Sequence, residues 1–176
     1  MILSIFRQKR PPIAEKLHAS LVEASRKPVF YASLGVPDTV EGRFEMISLH
    51  MFLYMNRVRT TQNPALRELT QEVLDWGFLE FDRAIRDLGV SDTRVPKKMK
   101  KLAAHFYGRV QALEPLLSAN DVGGLSATLG RIVYSDETAP GAIRLAQYTL
   151  SARDHLETLA EESLLQGVIS FPEPVA

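Results

Sequence analysis

The 176-residue sequence contains no cysteine, which excludes disulfide frameworks, thiolate zinc sites, iron–sulfur ligation and cysteine nucleophiles together. It has no net charge, 21 Lys and Arg balancing 21 Asp and Glu, so no overall positive field holds it to nucleic acid and only a local basic patch remains open. Long apolar runs are missing too. Arg43, Glu45 and His50 interrupt the most apolar segment and Arg57 and Arg59 close it, short of the ~20 residues a membrane-spanning helix needs. There is no alternating run of β-branched and aromatic residues and no Asn-Gly or Asp-Gly hairpin turn. Phosphate loops of the Gly-x-x-x-x-Gly-Lys type, Gly-x-Gly-x-x-Gly fingerprints, Gly-x-Ser-x-Gly elbows and His-Glu-x-x-His pairs are all absent. At the start, a short apolar hexapeptide precedes Arg7, Lys9, Arg10 and a Pro11-Pro12 break. That is the wrong order and too short for a secretory signal, so residues 1–12 are expected to form a flexible segment of a chain that is not exported.

What is there is helical periodicity. With 45% hydrophobic and 24% charged residues the chain has the balance of a folded domain. A first helix is expected from Ile13 to Arg26, stopped by Pro28, with a connector over Val29–Pro37. Asp38 or Thr39 caps a second helix to about Thr60 that carries two stripes, Phe44, Ile47, Met51, Tyr54, Val58 and Met46, Leu49, Leu53, as a central bundle helix does. Asn63-Pro64 opens a third helix ending at Gly89, in which Gly77 signals a close neighbour. A fourth runs from about Val95-Pro96 to Ser118 with Met99, Leu102, Phe106, Val110, Leu113 and Leu117 inward. A shorter, glycine-rich helix over Asp121–Tyr134 and a last one from about Ala142 to Leu165 follow. The expectation is an all-α fold, a single compact bundle of about six helices over residues 13–168, with residues 169–176 frayed.

Three polar constellations stand out. Arg43, His50 and Arg57 recur every seven residues on the otherwise apolar second helix. They are either rim charges neutralised by Asp38 and other carboxylates or the polar floor of a groove. Asp82 and Arg86 are spaced for a helical ion pair, worth about 0.3–0.5 kcal/mol when exposed. Lys97, Lys98, Lys100 and Lys101 lead into His105 and Arg109. At 100° per residue, Lys98, Lys101, His105 and Arg109 form one flank opposite Met99, Leu102 and Phe106, either a solvated face or a footprint for RNA, lipid headgroups or an acidic partner. Tyr107 beside Gly108 and Arg109 either stacks on a partner or packs inward. The four histidines fall in four different helices with no paired ligand spacing, so no metal is called for.

Two strings, FYASLGVPDTVEGRFEMISLH at 30–50 and FDRAIRDLGVSDTRVPKKMKKLAAHFYGR at 81–109, resemble the signature blocks of the ubiquinol–cytochrome c chaperone family. The likeness spans about residues 17–150. Tyr31, Gly35, Pro37, Asp38, Gly42, Arg43, Glu45 and His50 match the first block. Asp82, Arg86, Gly89, Asp92, Pro96, Lys97, Lys101, Tyr107, Gly108 and Arg109 match the second, and Ile132 departs from a weaker third motif at Arg131. The resemblance implies a helical assembly chaperone for the bc1 complex that binds newly made cytochrome b, is not an enzyme and needs no cofactor. A ribosome, an anionic membrane surface or a second assembly factor are its further partners, and DNA is not. The chain lacks the targeting extension of mitochondrial relatives, so a bacterial cytoplasmic protein working at the inner-membrane face is expected. The client or partner site is expected at Tyr31, Asp38, Arg43, Glu45, His50, Asp82, Arg86, Lys97, Lys98, Lys101, Tyr107 and Arg109. The competing readings are an RNA- or ribosome-binding module using residues 97–109, and an enzyme using His50 with Glu45 or Asp38 as an acid–base pair.

Overall fold

The computed structural model describes residues 12–175, so the segment before Pro12, expected to be flexible, lies outside the described residues. Among the described residues there is no strand. Eight α-helices follow in order: α1 (Pro12–Ser25), α2 (Pro28–Ala32), α3 (Val40–Val58), α4 (Pro64–Asp87), α5 (Val95–Ser118), α6 (Val122–Leu129), α7 (Pro140–Glu157) and α8 (Glu161–Leu165). A π-helical turn over Gly130–Tyr134 continues α6. The fold is all-α.

Helix starts fall where side chains can satisfy the orphan amides of a first turn. The Thr39 hydroxyl accepts from the Gly42 amide at 3.1 Å, the Asn63 side chain from the Ala65 amide at 3.1 Å and the Asp121 carboxylate from the Gly124 amide at 2.8 Å. Pro28, Pro64, Pro96 and Pro140 sit in first turns, where the missing amide costs nothing.

α3 is the central helix, and its two stripes serve two cores. Met46, Leu49 and Leu53 face a core completed by Phe30, Leu117, Leu125, Leu145 and Leu156, while Ile47, Met51, Tyr54 and Val58 face Leu17, Leu21, Leu66, Val73 and Phe106. α1 and α4 close on the second core at Gly77, where a side chain would fall 2.8 Å from Met51 Cε and 3.3 Å from His18 Nε2.

Three local expectations give way to tertiary contacts. The connector after α1 contains a turn of helix, α2, because Phe30 is drawn fully into the first core. The last helix is two helices: Arg57 donates to the carbonyls of Leu156 at 2.8 Å and Leu159 at 2.6 Å, so its guanidinium takes acceptors that a continuous helix would use itself. Residues 169–175, expected to fray, lie along the bundle. The Phe171 ring packs 4.9 Å from that of His50, Pro174 is buried, and Lys27 pairs with Glu173 at 2.5 Å.

Candidate functional site

The C-terminal end of α1 and the facing parts of α3, α4 and α5 enclose an apolar groove of about 520 Å³. Phe44 and Ile47 of α3, Phe81 and Ile85 of α4, Leu88 just past its end and Leu102 of α5 supply an apolar floor. Arg26, Arg43, Lys98, Lys101 and His105 stand along the edges with Glu41 and Glu45. Except for Val22, Ser25 and Arg26, every lining residue belongs to the strings 30–50 and 81–109. Two segments far apart in the chain thus build one surface. Leu88, 63% exposed, is a large apolar side chain left open at its mouth.

Glu45 lines the groove and is paired with Arg109, which stands outside its lining. Glu45 is 8% exposed, its Oε1 accepts from Arg109 Nη2, and the guanidinium carbon lies 5.9 Å from the centroid of the Phe44 ring. Glu45 Oε2, Ser48 Oγ and Arg109 Nε are buried beside this contact without hydrogen-bond partners of their own. Burial pushes the Glu45 carboxyl above its usual range, and the Arg109 charge and hydrogen bond oppose that shift only in part.

Arg43 occupies the ridge between the groove and a second hollow of about 580 Å³ lined by Arg26, Pro28, Tyr31, Ala32 and Asp38. Its Nε donates to Asp38 Oδ1 at 2.7 Å, and this hydrogen bond holds the Asp38 carboxyl below its usual range. Tyr31 donates to the Ser25 carbonyl at 3.0 Å, and partial burial raises its phenol. Lys98 and Lys101 line the groove. They share it with Leu102 instead of standing opposite an inward stripe.

Other expected site residues lie elsewhere. Lys97 is exposed and outside the groove. Tyr107 is 45% exposed and stacks on Phe78 at 6.4 Å, also outside it. Arg86 bonds Asp82 at 2.6 Å and also Asp92, which fastens the turn between α4 and α5 without reaching the groove. Of the groove's apolar residues, Leu102 is one the periodicity assigns inward, and it lines the groove together with Phe81, Ile85 and Leu88.

His50 is neither a groove residue nor half of an acid–base pair. It is fully buried, ringed by Phe30, Tyr148 and Phe171. Its Nδ1 lies 2.8 Å from the Met46 carbonyl, which can only accept, so Nδ1 carries the proton and Nε2 accepts from the Tyr148 hydroxyl at 2.8 Å. Neither Glu45 nor Asp38 reaches it: Glu45 is held by Arg109 and Asp38 by Arg43. Burial lowers its pKa to about 4. Between about 6.5 and 4 the unfolded chain therefore binds a proton that the folded state refuses, and stability falls as pH falls. The full loss below pH 4 is about 3 kcal/mol at 1.36 kcal/mol per pH unit. Urea unfolding across this window is expected to show that acid slope in the wild-type chain and a flatter one in His50→Gln; equal slopes would place the acid sensitivity elsewhere.

The described residues contain no helix long and apolar enough to cross a membrane and no group of three metal-ligating side chains. Residues 32–171 match the family model described as Ubiquinol-cytochrome C chaperone. The crystal structure of the Cbp3 homolog from Brucella abortus is similar to this one with a TM-score of 0.85 and 44% identity, covering 98% of this chain and 97% of that one. No curated protein matches the chain.

Proposed function

The chain belongs to the ubiquinol-cytochrome C chaperone family, and from that premise we propose that it binds newly synthesised cytochrome b during assembly of the bc1 complex, without catalysing a reaction. The observation that carries this reading is the apolar groove itself, bounded by Phe44, Phe81, Ile85, Leu88 and Leu102. A chaperone for a hydrophobic client needs apolar surface that its own fold leaves uncovered, and charged edges that keep that surface in solution. The work is set at the cytoplasmic face of the inner membrane, where such a client emerges.

The test is affinity purification of the tagged protein from its own cells in mild detergent, with cytochrome b quantified against an untagged control. Enrichment is expected, with a drop of about tenfold in Leu88→Lys and in Arg43→Glu, since a charge placed on the floor or reversed on the ridge should cost a bound segment 1–2 kcal/mol. Both positions are exposed, so the variants should fold. Wild-type recovery of cytochrome b by both would remove the groove from the site.

A second reading is favoured by Lys97 and Lys100, which are exposed and face away from the groove. Together with Lys98 and Lys101 they suit ribosomal RNA. That reading expects RNA affinity that falls steeply with salt, and absence of binding at low salt would eliminate it.

A further inference from the structure

We infer that the groove selects partner helices whose apolar face is flanked by carboxylates. The inference rests on the reading of the groove as a docking site and adds the chemistry of what docks there.

The shape argues for a helix. Phe81 and Ile85 on α4 and Leu88 at its C-terminal cap stand at i, i+4 and i+7, an apolar stripe about 10 Å long that opens outward: Phe81 packs on Phe44 of α3 at 5.1 Å, Ile85 is half-buried and Leu88 is 63% exposed. The described residues offer no strand edge to which an extended peptide could add, so the complement of this surface is an amphipathic helix laid between α4 and α5. A bilayer is flat and does not enter a concavity whose floor lies between helices.

The charges argue for carboxylates. Arg43 is already tied to Asp38, and Glu45 to Arg109. That leaves Arg26 on the α1 side and Lys98 and Lys101 on the α5 side, none with an ion-pair partner among the described residues, against Glu41 alone. Lys98 and Lys101 are three residues apart on one face of α5, so carboxylates one turn apart on a bound helix would meet them in register. A basic flank would be repelled there, and a neutral one would desolvate the lysines with nothing gained in return.

The experiment uses the full chain and fluorescently labelled helical peptides of about fourteen residues, identical in their Leu and Phe face and flanked by Glu, Gln or Lys. Anisotropy titrations at low and high salt measure the affinities. The Glu peptide is expected to bind at least about tenfold more tightly than the Lys peptide at low salt, with Gln between them and the gap closing as salt rises. The double variant Lys98→Glu/Lys101→Glu, altered only at exposed positions, should invert the order. Equal affinities for the three peptides would overturn the inference, as would binding to anionic vesicles with no peptide bound. Cytochrome b recovery separates this from the client reading. Equal peptide affinities with cytochrome b still recovered remove the carboxylate rule alone, whereas a Glu preference with no cytochrome b recovered supports the rule and removes that client.

Discussion

Arg109→Met is expected to cost about 3 kcal/mol of folding stability at pH 7, and most of that cost should vanish by pH 5. The substitution keeps the volume of the side chain against Phe44 but leaves Glu45, 8% exposed, without its cation. Removing one partner of a buried pair typically costs about 3–5 kcal/mol. Here there is a ceiling, because Glu45 can escape by taking a proton. With an ordinary value of 4.5 for the carboxyl, protonating it at pH 7 costs about 3 kcal/mol, and at pH 5 under 1 kcal/mol. The folded-state pKa of Glu45 is already raised in the wild-type protein and rises further without Arg109. Its folded state therefore binds more protons than the unfolded chain, and the variant loses stability as pH rises. Urea unfolding of wild type and variant at pH 7 and pH 5 measures the difference, in which the acid effect of His50 cancels because both proteins contain it. A deficit of the same size at both pH values would mean lost packing instead of a stranded charge. Adding Glu45→Gln to the variant should abolish the pH dependence.

Gly141→Ala is expected to destabilise by about 3 kcal/mol, while Gly108→Ala should stabilise by roughly 0.5–1 kcal/mol. Both glycines are helical, and their surroundings decide the opposite signs. A side chain at Gly141 would stand 1.8 Å from the Leu34 carbonyl oxygen and 2.8 Å from the Tyr134 hydroxyl, which itself donates to that carbonyl at 3.0 Å. Room could be made only by pushing residues 33–39 away from α7, and those residues are also held by Arg144, which donates to the Ser33 carbonyl at 2.5 Å. At Gly108 nothing lies within 4 Å, so alanine simply lowers the backbone entropy lost on forming α5. Thermal or urea denaturation of the two variants beside wild type reads both signs. A neutral Gly141→Ala would mean that the 33–39 segment yields freely. Since that segment contains Asp38 and the Thr39 cap and leads into Arg43, the rigidity of the ridge beside the groove depends on it.

The residues legible from the chain were those whose partners are near in sequence or whose pattern repeats. The Asn63 cap, a cap for α3 at Asp38 or Thr39, the two faces of α3 and the close neighbour at Gly77 follow from spacing alone, because helix geometry converts spacing directly into a face, and the structure selects Thr39. The contacts of the expected site residues were legible only in part, and distance along the chain separates those that were from those that were not. Arg43 with Asp38 is a local pair. Glu45 with Arg109 spans 64 residues, and His50 with Tyr148 spans 98. The heptad of Arg43, His50 and Arg57 correctly marks three polar side chains on an apolar helix, yet each has its own fate: a surface ion pair, a buried hydrogen-bonded ring and a cap on the last turn of α7.

Composition and spacing were enough to make the protein helical, to place α3 at its centre, to exclude thiol and phosphate-loop chemistry and, through two long strings, to point to its family. It took the packed helices to show that those strings meet along one groove, that Ile85, Leu88 and Leu102 help to form its floor, and that His50 is sealed inside while Lys98 and Lys101 line the opening. Periodicity reports which face of a helix is apolar, whereas what covers that face depends on where its neighbours lie in space. At the C-terminal end of α4 those neighbours stand far enough apart to leave part of such a face open to a partner.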